Sequence, residues 1–254
     1  MKTRTCILYL SAALLALASC EKNDPSLVVH YLFDNSDNNI VADATGNGHN
    51  ATLEQGATVK KVGRWGVMDL GADNGFLDMG ASMGDLIVTL EDYSITTYLR
   101  VDTAARVRAY GNFVYAFSTM EHCTGTEGRF VAYRVNQQRH EQSIGGGMPE
   151  RELVGIMADR PAEKGVWMHV AYSQGGRTGT LYLNGEVLAT GPAVLQPKDI
   201  GEAPRFNWLG KPHFANDVYL KAMYHDFRIY NRALSQEEIK NLAQNLDGLR
   251  AEEQ

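Results

Sequence analysis

The chain has 254 residues, 44% of them hydrophobic and 21% charged, with 25 glycines against 7 prolines. That composition fits one large or two small globular domains and excludes disordered, collagen-like and disulfide-stapled classes. A net charge of −6, with no basic run longer than Lys60-Lys61, lacks the electrostatic footprint that a phosphate backbone demands, so nucleic acid is not an expected partner.

At the N-terminus, Lys2 and Arg4 precede an apolar run from Ile7 to Leu17. The run is too short to span a bilayer and has the three-part layout of a secretory signal. Its junction, Leu17-Ala18-Ser19-Cys20, resembles the lipobox of bacterial lipoproteins, in which the cysteine is lipidated and becomes N-terminal after cleavage. This implies a signal peptide over 1–19 and a lipid anchor at Cys20, and hence a membrane partner; a soluble secreted protein cut near Ser19 is the alternative. Removing 1–19 leaves 235 residues and takes the basic count from 24 to 22 against 30 acids, a net charge of −8. Cys6 leaves with the signal and Cys20 carries lipid, so Cys123 stands alone and no intramolecular disulfide is available. A chain of this size buries roughly 70–75% of its unfolded surface, enough for a core without bridge or metal. Residues 20–26 read as a polar tether, and Cys-Glu-Lys-Asn-Asp resembles the charged export tags of surface lipoproteins in Bacteroidetes-like bacteria. The expected location is the cell envelope, as an outer-membrane lipoprotein exposed at the surface.

From residue 27 to 254 the sequence reads as one domain. Short strand-like runs recur between turn signals, the pattern of an antiparallel sandwich and not of alternating βαβ units. Leu27 to Phe33 opens the series. In Ser94 to Val101, Ile95, Thr97, Leu99 and Val101 share one face and Ser94, Thr96, Tyr98 and Arg100 the other, so one face is expected to look inward. Further strands are expected over Asn112 to Ser118, Arg129 to Val135, Leu153 to Met157 and Val166 to Ser173. The loop with Gly145-Gly146-Gly147 and Pro149 reads as an excursion between strands. Thr180 to Leu183 and Glu186 to Ala189 flank Asn184-Gly185, a pair that tolerates the positive φ angles of a type I′ hairpin turn. Near the end, Ser235-Gln236-Glu237-Glu238 is a capping box, Ile239, Leu242 and Leu246 follow at helical spacing, and Gly248 suits the exit. The fold class expected is all-β, two antiparallel sheets with one short C-terminal helix.

Several segments resemble the laminin-G-like, concanavalin-A-like jelly rolls. They are His30-Tyr31-Leu32-Phe33-Asp34, the Asp43-Ala44-Thr45-Gly46-Asn47-Gly48 turn, Gly63-Arg64-Trp65-Gly66, Trp167-Met168-His169-Val170-Ala171-Tyr172, Leu181-Tyr182-Leu183-Asn184-Gly185, Asn207-Trp208-Leu209-Gly210 and Asp226-Phe227-Arg228-Ile229-Tyr230-Asn231-Arg232-Ala233-Leu234-Ser235. The resemblance runs from about Val28 to Asn241 and implies a jelly-roll sandwich. Trp65, Trp167 and His169 read as fold residues, with Trp167 offering apolar surface to the space between the sheets. In jelly rolls of this kind a structural calcium ion often ties the N-terminal segment to the strand before the last helix. The matching positions are Asp34, Asp43, Asn50 and Asp226, although His225 stands where the family carries an acid. Asx-turns at Asp34 and Asp43 are the alternative.

The seven histidines (30, 49, 122, 140, 169, 213 and 225) come without HExxH or CxxC, which argues against zinc. Laminarinase-type glucanases share this sandwich and need alternate carboxylates in an E-x-D-x-E run on one strand; no such run occurs here, so the chain is expected not to be an enzyme. Nucleophile-elbow, phosphate-loop and dinucleotide motifs are also missing from the sequence. Binding is the expected activity, with a glycan or a surface protein as partner. Sugars are held by aromatic faces with polar companions on loops at a sandwich rim. Candidate ligand-binding residues are Tyr110, Tyr133, Arg134, Trp208, Phe214, Asn216, Asp217 and Tyr219, with Asn136 beside them. A protein–protein or structural accessory module of an outer-membrane assembly is the alternative, and a divergent glycoside hydrolase the third reading.

Overall fold

The computed structural model describes residues 24–107, 111–123, 127–145 and 152–252. The signal peptide, Cys20, Tyr110 and the loop residues Gly146, Gly147 and Pro149 lie outside the described residues. In chain order the strands are β1 (Leu27–Tyr31), β2 (Ile40–Val41), β3 (Ala51–Glu54), β4 (Thr58–Val62), β5 (Trp65–Asp69), β6 (Phe76–Asp78), β7 (Tyr93–Val101) and β8 (Asn112–Ser118). They continue as β9 (Phe130–Val135), β10 (His140–Gly145), β11 (Glu152–Ala158), β12 (Trp167–Gly175), β13 (Thr178–Leu183), β14 (Glu186–Pro192), β15 (Phe206–Leu209) and β16 (Ala222–Tyr230).

These form two antiparallel sheets. Sheet A runs β14-β13-β12-β7-β16-β5-β4, with β1 also paired to β16; sheet B runs β11-β10-β9-β8-β15-β6-β3-β2. Hairpin neighbours at the sheet edges alternate with central pairs distant in sequence, such as β12-β7, β7-β16 and β8-β15, which is the crossed connectivity of a jelly roll. Alternation along each strand supplies the layer between them. Ile95, Leu99 and Val101 of β7, Val170 and Tyr172 of β12 and Ile229 of β16 meet Tyr115 and Phe117 of β8 and Val131, Tyr133 and Val135 of β9. Each large apolar side chain buried there contributes ~1.5–3 kcal/mol. Tyrosines in this layer find partners for their hydroxyls, as buried polar groups must: Tyr115 donates to Gln142 Oε1 at 2.6 Å, and Tyr172 donates to Gln174 Oε1 at 2.9 Å.

The hairpin between β13 and β14 turns on Asn184 (φ 55°) and Gly185 (φ 82°), the left-handed pair that the Asn-Gly dipeptide signals. Helix α1 (Gly80–Ile87) packs Met83 and Ile87 into the core and was not foreseen from the sequence. Helix α2 (Gln236–Leu242) starts with the expected capping box: the amide of Glu238 donates to Ser235 Oγ at 3.3 Å, and the amide of Ser235 to Glu238 Oε2 at 2.8 Å. Helical structure then continues through a tight turn into α3 (Leu246–Ala251), so Gly248 is not an exit. A Cβ at Gly248 would stand 3.0 Å from the Trp65 ring, and the close approach of helix to indole explains the glycine.

These C-terminal helices cover part of the outer face of sheet A. Leu246 and Leu249 pack on Val67, Tyr98 and Trp167, and the Tyr98 hydroxyl donates to the carbonyl of Leu242. Two expectations are corrected by this. Trp167 lies under α3 and not between the sheets, and the second face of β7 is buried as well as the first. The outer face of sheet B has no such helical cover among the described residues.

Candidate functional site

The outer face of sheet B follows from strand alternation. Since Val131, Tyr133 and Val135 face the core, Phe130, Ala132 and Arg134 face outward. Glu141 of β10 pairs in register with Arg134, Phe113 of β8 does so from the other side, and Trp208 of β15 joins the face in the next row, opposite Ala116. The segment from Gly210 to Leu220 leaves β15, crosses this face and returns, closed by the amide of Leu220 donating to the carbonyl of Gly210 at 2.8 Å. It is pinned midway, where the amide of Cys123 donates to the carbonyl of His213 at 2.7 Å. Phe113, Ala116, Cys123, Phe130 and Ala132 form a small apolar cluster with Phe214 on its edge.

Charge is concentrated beside that cluster. Arg134 and Glu141 form an ion pair with side chains 11% and 5% exposed, and Arg139 lies 3.8 Å from the second carboxylate oxygen. The Arg134 guanidinium also lies 5.6 Å from the Phe113 ring centroid. Asp217 approaches the same arginine: burial raises its carboxyl above the usual carboxylate range, and the Arg134 charge opposes this only in part. Gly111 is where these groups converge, for a Cβ there would lie 2.5 Å from Phe113 Cε2, 3.0 Å from Asp217 Oδ2 and 3.1 Å from Arg134 Cδ.

His213 is enclosed by three aromatic rings, with centroids 4.7 Å from Phe113, 4.2 Å from Phe130 and 4.4 Å from Phe214. Neither ring nitrogen has a hydrogen-bond partner among the described residues. Burial, helped by the Arg134 charge, depresses its pKa to about 3, so the ring is neutral at physiological pH. Further along the face, Lys211 lies over two aromatic rings, 3.8 Å from the Trp208 centroid and 4.8 Å from Phe76, and bonds Glu121 at 3.2 Å. Tyr219 stands edge-on to Phe76 at 6.0 Å.

The fold therefore gathers Arg134, Trp208, Phe214, Asn216, Asp217 and Tyr219 on one face. Phe214, Asp217 and Tyr219 are half-buried and Asn216 is exposed, so they form the accessible rim. Tyr133 is corrected: it is 2% exposed and faces the core, with its hydroxyl on His140 Nδ1 at 2.7 Å, so it offers no platform. Trp208 is also only 2% exposed, beneath Lys211, and supports the face from below. Asn136 closes the β9–β10 turn, its Oδ1 accepting from the amides of Gln138 and Arg139 at 2.8 and 2.9 Å. Phe113, Phe130, Glu141, Lys211 and His213 were missed. The equal spacing of Arg134 and Glu141 about the β9–β10 turn is a sequence signal for their pairing; the aromatic enclosure of His213 comes from three distant segments and has none.

The four expected calcium ligands do not form one cage. Asp43 accepts the amides of His30 and Thr45 at 3.1 Å each, and its own amide donates to Asn50 Oδ1 at 2.9 Å. That is a self-contained Asx arrangement. Asp34 is exposed and bonds Lys61 at 2.8 Å. Asp226 sits at φ 56°, at the bulge where β16 changes its edge partner from β5 to β1. Its carboxylate takes His30 Nε2 at 2.6 Å and Arg228 Nε and Nη2 at 2.7 and 2.9 Å. Burial would raise this carboxyl, but the His30 bond and the Arg228 charge outweigh it and hold it well below the ordinary range. The acid is thus already neutralised by an arginine, and among the described residues no group of three or more His, Cys, Asp or Glu could hold a metal ion. The residues do not fit calcium, and the His30–Asp226 bond ties β1 to β16 instead. Cys123 is a buried thiol whose pKa burial pushes up, partly offset by its 3.1 Å contact with Ser118 Oγ.

Comparison with known proteins agrees with this architecture. The family model of the concanavalin A-like lectin/glucanases superfamily, laminin-G type, matches residues 75–240, well over half of the chain. No curated protein matches. Among solved structures, domain 4 of AbnA, a GH43 extracellular arabinanase from Geobacillus stearothermophilus in complex with arabinotriose, is 18% identical over 86% of this chain and 98% of that one, with a TM-score of 0.61. The botulinum neurotoxin type C structure, whose cell entry depends on two ganglioside molecules, is 14% identical over 90% of this chain and 53% of that one, TM-score 0.61. Trypanosoma rangeli sialidase is 13% identical over 89% and 34%, TM-score 0.61. At these identities the likeness is one of fold, and that fold is shared by binding modules and glycoside hydrolases alike.

Proposed function

The chain belongs to the concanavalin A-like lectin/glucanases superfamily, and from that membership we propose that it is a surface-anchored, non-catalytic lipoprotein that binds a glycan on the outer face of sheet B. The observation that carries the reading is the rim formed by Phe214, Asn216, Asp217 and Tyr219 over the Arg134–Glu141 pair. It combines aromatic surface with fixed donors and acceptors, which is the chemistry that sugar rings and hydroxyls require. The same face carries none of the C-terminal helices that pack on part of sheet A. The neighbouring arabinanase domain crystallised with arabinotriose, matched over 98% of its length, supports the reading.

The test is a panel of oligosaccharides presented to the full chain beside its Phe214→Ala and Tyr219→Ala variants. Binding by the parent that falls in both variants supports the reading; a folded parent that binds no glycan but retains a stable protein partner from membranes overturns it in favour of an accessory module. The anchor is tested separately, because Cys20→Ser should abolish lipid labelling and release the protein from the envelope.

One observation favours a second reading, hydrolysis. Asp217, whose carboxyl burial raises, and Glu141, in its ion pair, both approach Arg134, and glycoside cleavage uses two carboxyl groups on one face. Release of reducing sugar that disappears in Asp217→Asn would replace the binding proposal with this one.

A further inference from the structure

A second recess lies on the outer face of the opposite sheet. It has a cavity volume of ≈ 410 Å³ and is walled by Lys60, Asp69, Arg100, Asp102, Lys221 and Met223. Strand register explains the grouping. Met223 of β16 pairs with Asp69 of β5 on one side and with Arg100 of β7 on the other. Lys221 and Asp102 stand two residues further along the same two chains, where the amide of Asp102 donates to the carbonyl of Lys221 at 2.9 Å, and residues two apart share a face. Arg100 also pairs with Trp167, which α3 covers; the recess begins beside that covered region. Lys60, Asp69, Arg100 and Met223 stand on strands of one sheet, while Asp102 directly follows β7 and Lys221 directly precedes β16, the two joined by their backbone hydrogen bond.

The charges there run against those of the molecule. Three cations face two carboxylates in a chain of net charge −6. Both carboxylates are already engaged: Asp69 takes Lys60 at 2.5 Å and caps the amide of Gly71 at 2.9 Å, and Asp102 caps the amide of Ala104 at 2.6 Å. The Lys221 ammonium, by contrast, has no carboxylate partner among the described residues. A mouth of this kind attracts a negative charge, while the engaged carboxylates retain lone pairs that accept from hydroxyls. Its volume is within the range of ~300–1,000 Å³ typical of small-molecule sites.

Position adds to the argument. The chain enters at the far end of β16, where Leu27 pairs with Tyr230 and the amide of Asn231 donates to the carbonyl of Ser26. Seven residues separate Met223 from Tyr230, which at ~3.3 Å each puts the recess about 23 Å from the tether.

We propose that this recess is a second binding site, selective for a sugar that bears a carboxylate or a sulfate, with Lys221 as the group that meets the anion. The inference does not depend on the reading of the sheet B face. It is tested by calorimetric titration of the full chain, in chelator, with a trigalacturonate, with a sulfated carrageenan oligosaccharide and with neutral maltotriose. At least one acidic probe is expected to bind where maltotriose does not, and more weakly as salt rises from about 50 to about 300 mM. Lys221→Glu should weaken that binding by about tenfold or more, Lys221→Arg should keep it within about threefold, and Phe214→Ala should leave it unchanged. Carboxylate and sulfate sources are separated by which acidic probe is retained. Failure of both acidic probes to bind overturns the proposal, as does undiminished binding in a folded Lys221→Glu protein. Loss in Phe214→Ala with retention in Lys221→Glu would move the acidic sugar to sheet B and overturn it equally. Should Lys221→Glu fail to fold, Lys221→Gln carries the same comparison.

Discussion

His213→Phe should make the protein more stable, and increasingly so as the medium becomes acidic. The imidazole is fully buried among Phe113, Phe130 and Phe214, and neither nitrogen has a partner among the described residues. An unpartnered buried polar group costs about 1–3 kcal/mol, part of which a phenyl ring of similar shape recovers at neutral pH. The pH term is separate. With a folded pKa of about 3 against an ordinary value near 6.5, the unfolded chain binds a proton that the folded one refuses. Stability from this group is therefore complete above the ordinary value and is lost as pH falls toward the folded one, at about 1.4 kcal/mol per unit. By about pH 5 the loss reaches roughly 2 kcal/mol. His140 and His169, each depressed to about 4 by burial, add similar amounts. Together the three remove roughly 6 kcal/mol, comparable with the whole stability of many domains of ~5–15 kcal/mol. Denaturant unfolding of parent and His213→Phe should be followed by tryptophan fluorescence between about pH 7.5 and about pH 5. The gap in unfolding free energy should widen by roughly 2 kcal/mol over that range. Parallel curves would refute the reasoning, because they would mean that His213 titrates alike in both states.

Other expectations follow from the same geometry. Asp226→Asn leaves Arg228 buried without its counter-charge and should cost about 3–5 kcal/mol, measured by the same unfolding assay; a loss below about 1 kcal/mol would show the pair to be dispensable. Because that carboxylate is already paired with Arg228 and hydrogen-bonded by His30, chelator should leave the thermal midpoint unchanged, and a clear downward shift would restore calcium to the account. The Cys123 thiol, buried and with its pKa pushed up, should resist a disulfide reagent at mildly alkaline pH in the native protein and react once unfolded.

Much of the framework was legible because its signals are local. Asn184-Gly185 and the Ser235–Glu238 box act over four residues or fewer, and both have the geometry their chemistry dictates. The period-two pattern of β7 was also readable, but its consequence was not: Tyr98 and Arg100 share the face opposite the core, and only the path of α3, more than a hundred residues later, decides which of them is covered. Tyr133 and Arg134 illustrate the same limit. Alternation says that they point in opposite directions, yet which one faces the other sheet depends on strand partners that sequence spacing does not reveal. The calcium set was misread for a different reason: Asp226 was matched to its position without its neighbours, the Arg228 guanidinium and the His30 ring, which already occupy its carboxylate oxygens. The rim was partly legible because Phe214, Asn216, Asp217 and Tyr219 lie in one short segment. Its enclosure of His213 was not, since the surrounding rings come from β8, β9 and the segment after β15.

The account rests on glycan recognition by the outer face of sheet B, and hydrogen exchange addresses it most directly. With the best oligosaccharide from the panel bound to the full chain, added protection should concentrate in Gly210–Leu220 and in β8 to β10, and should vanish in Phe214→Ala. Protection confined to sheet A, or no change on saturation with any glycan, would contradict it.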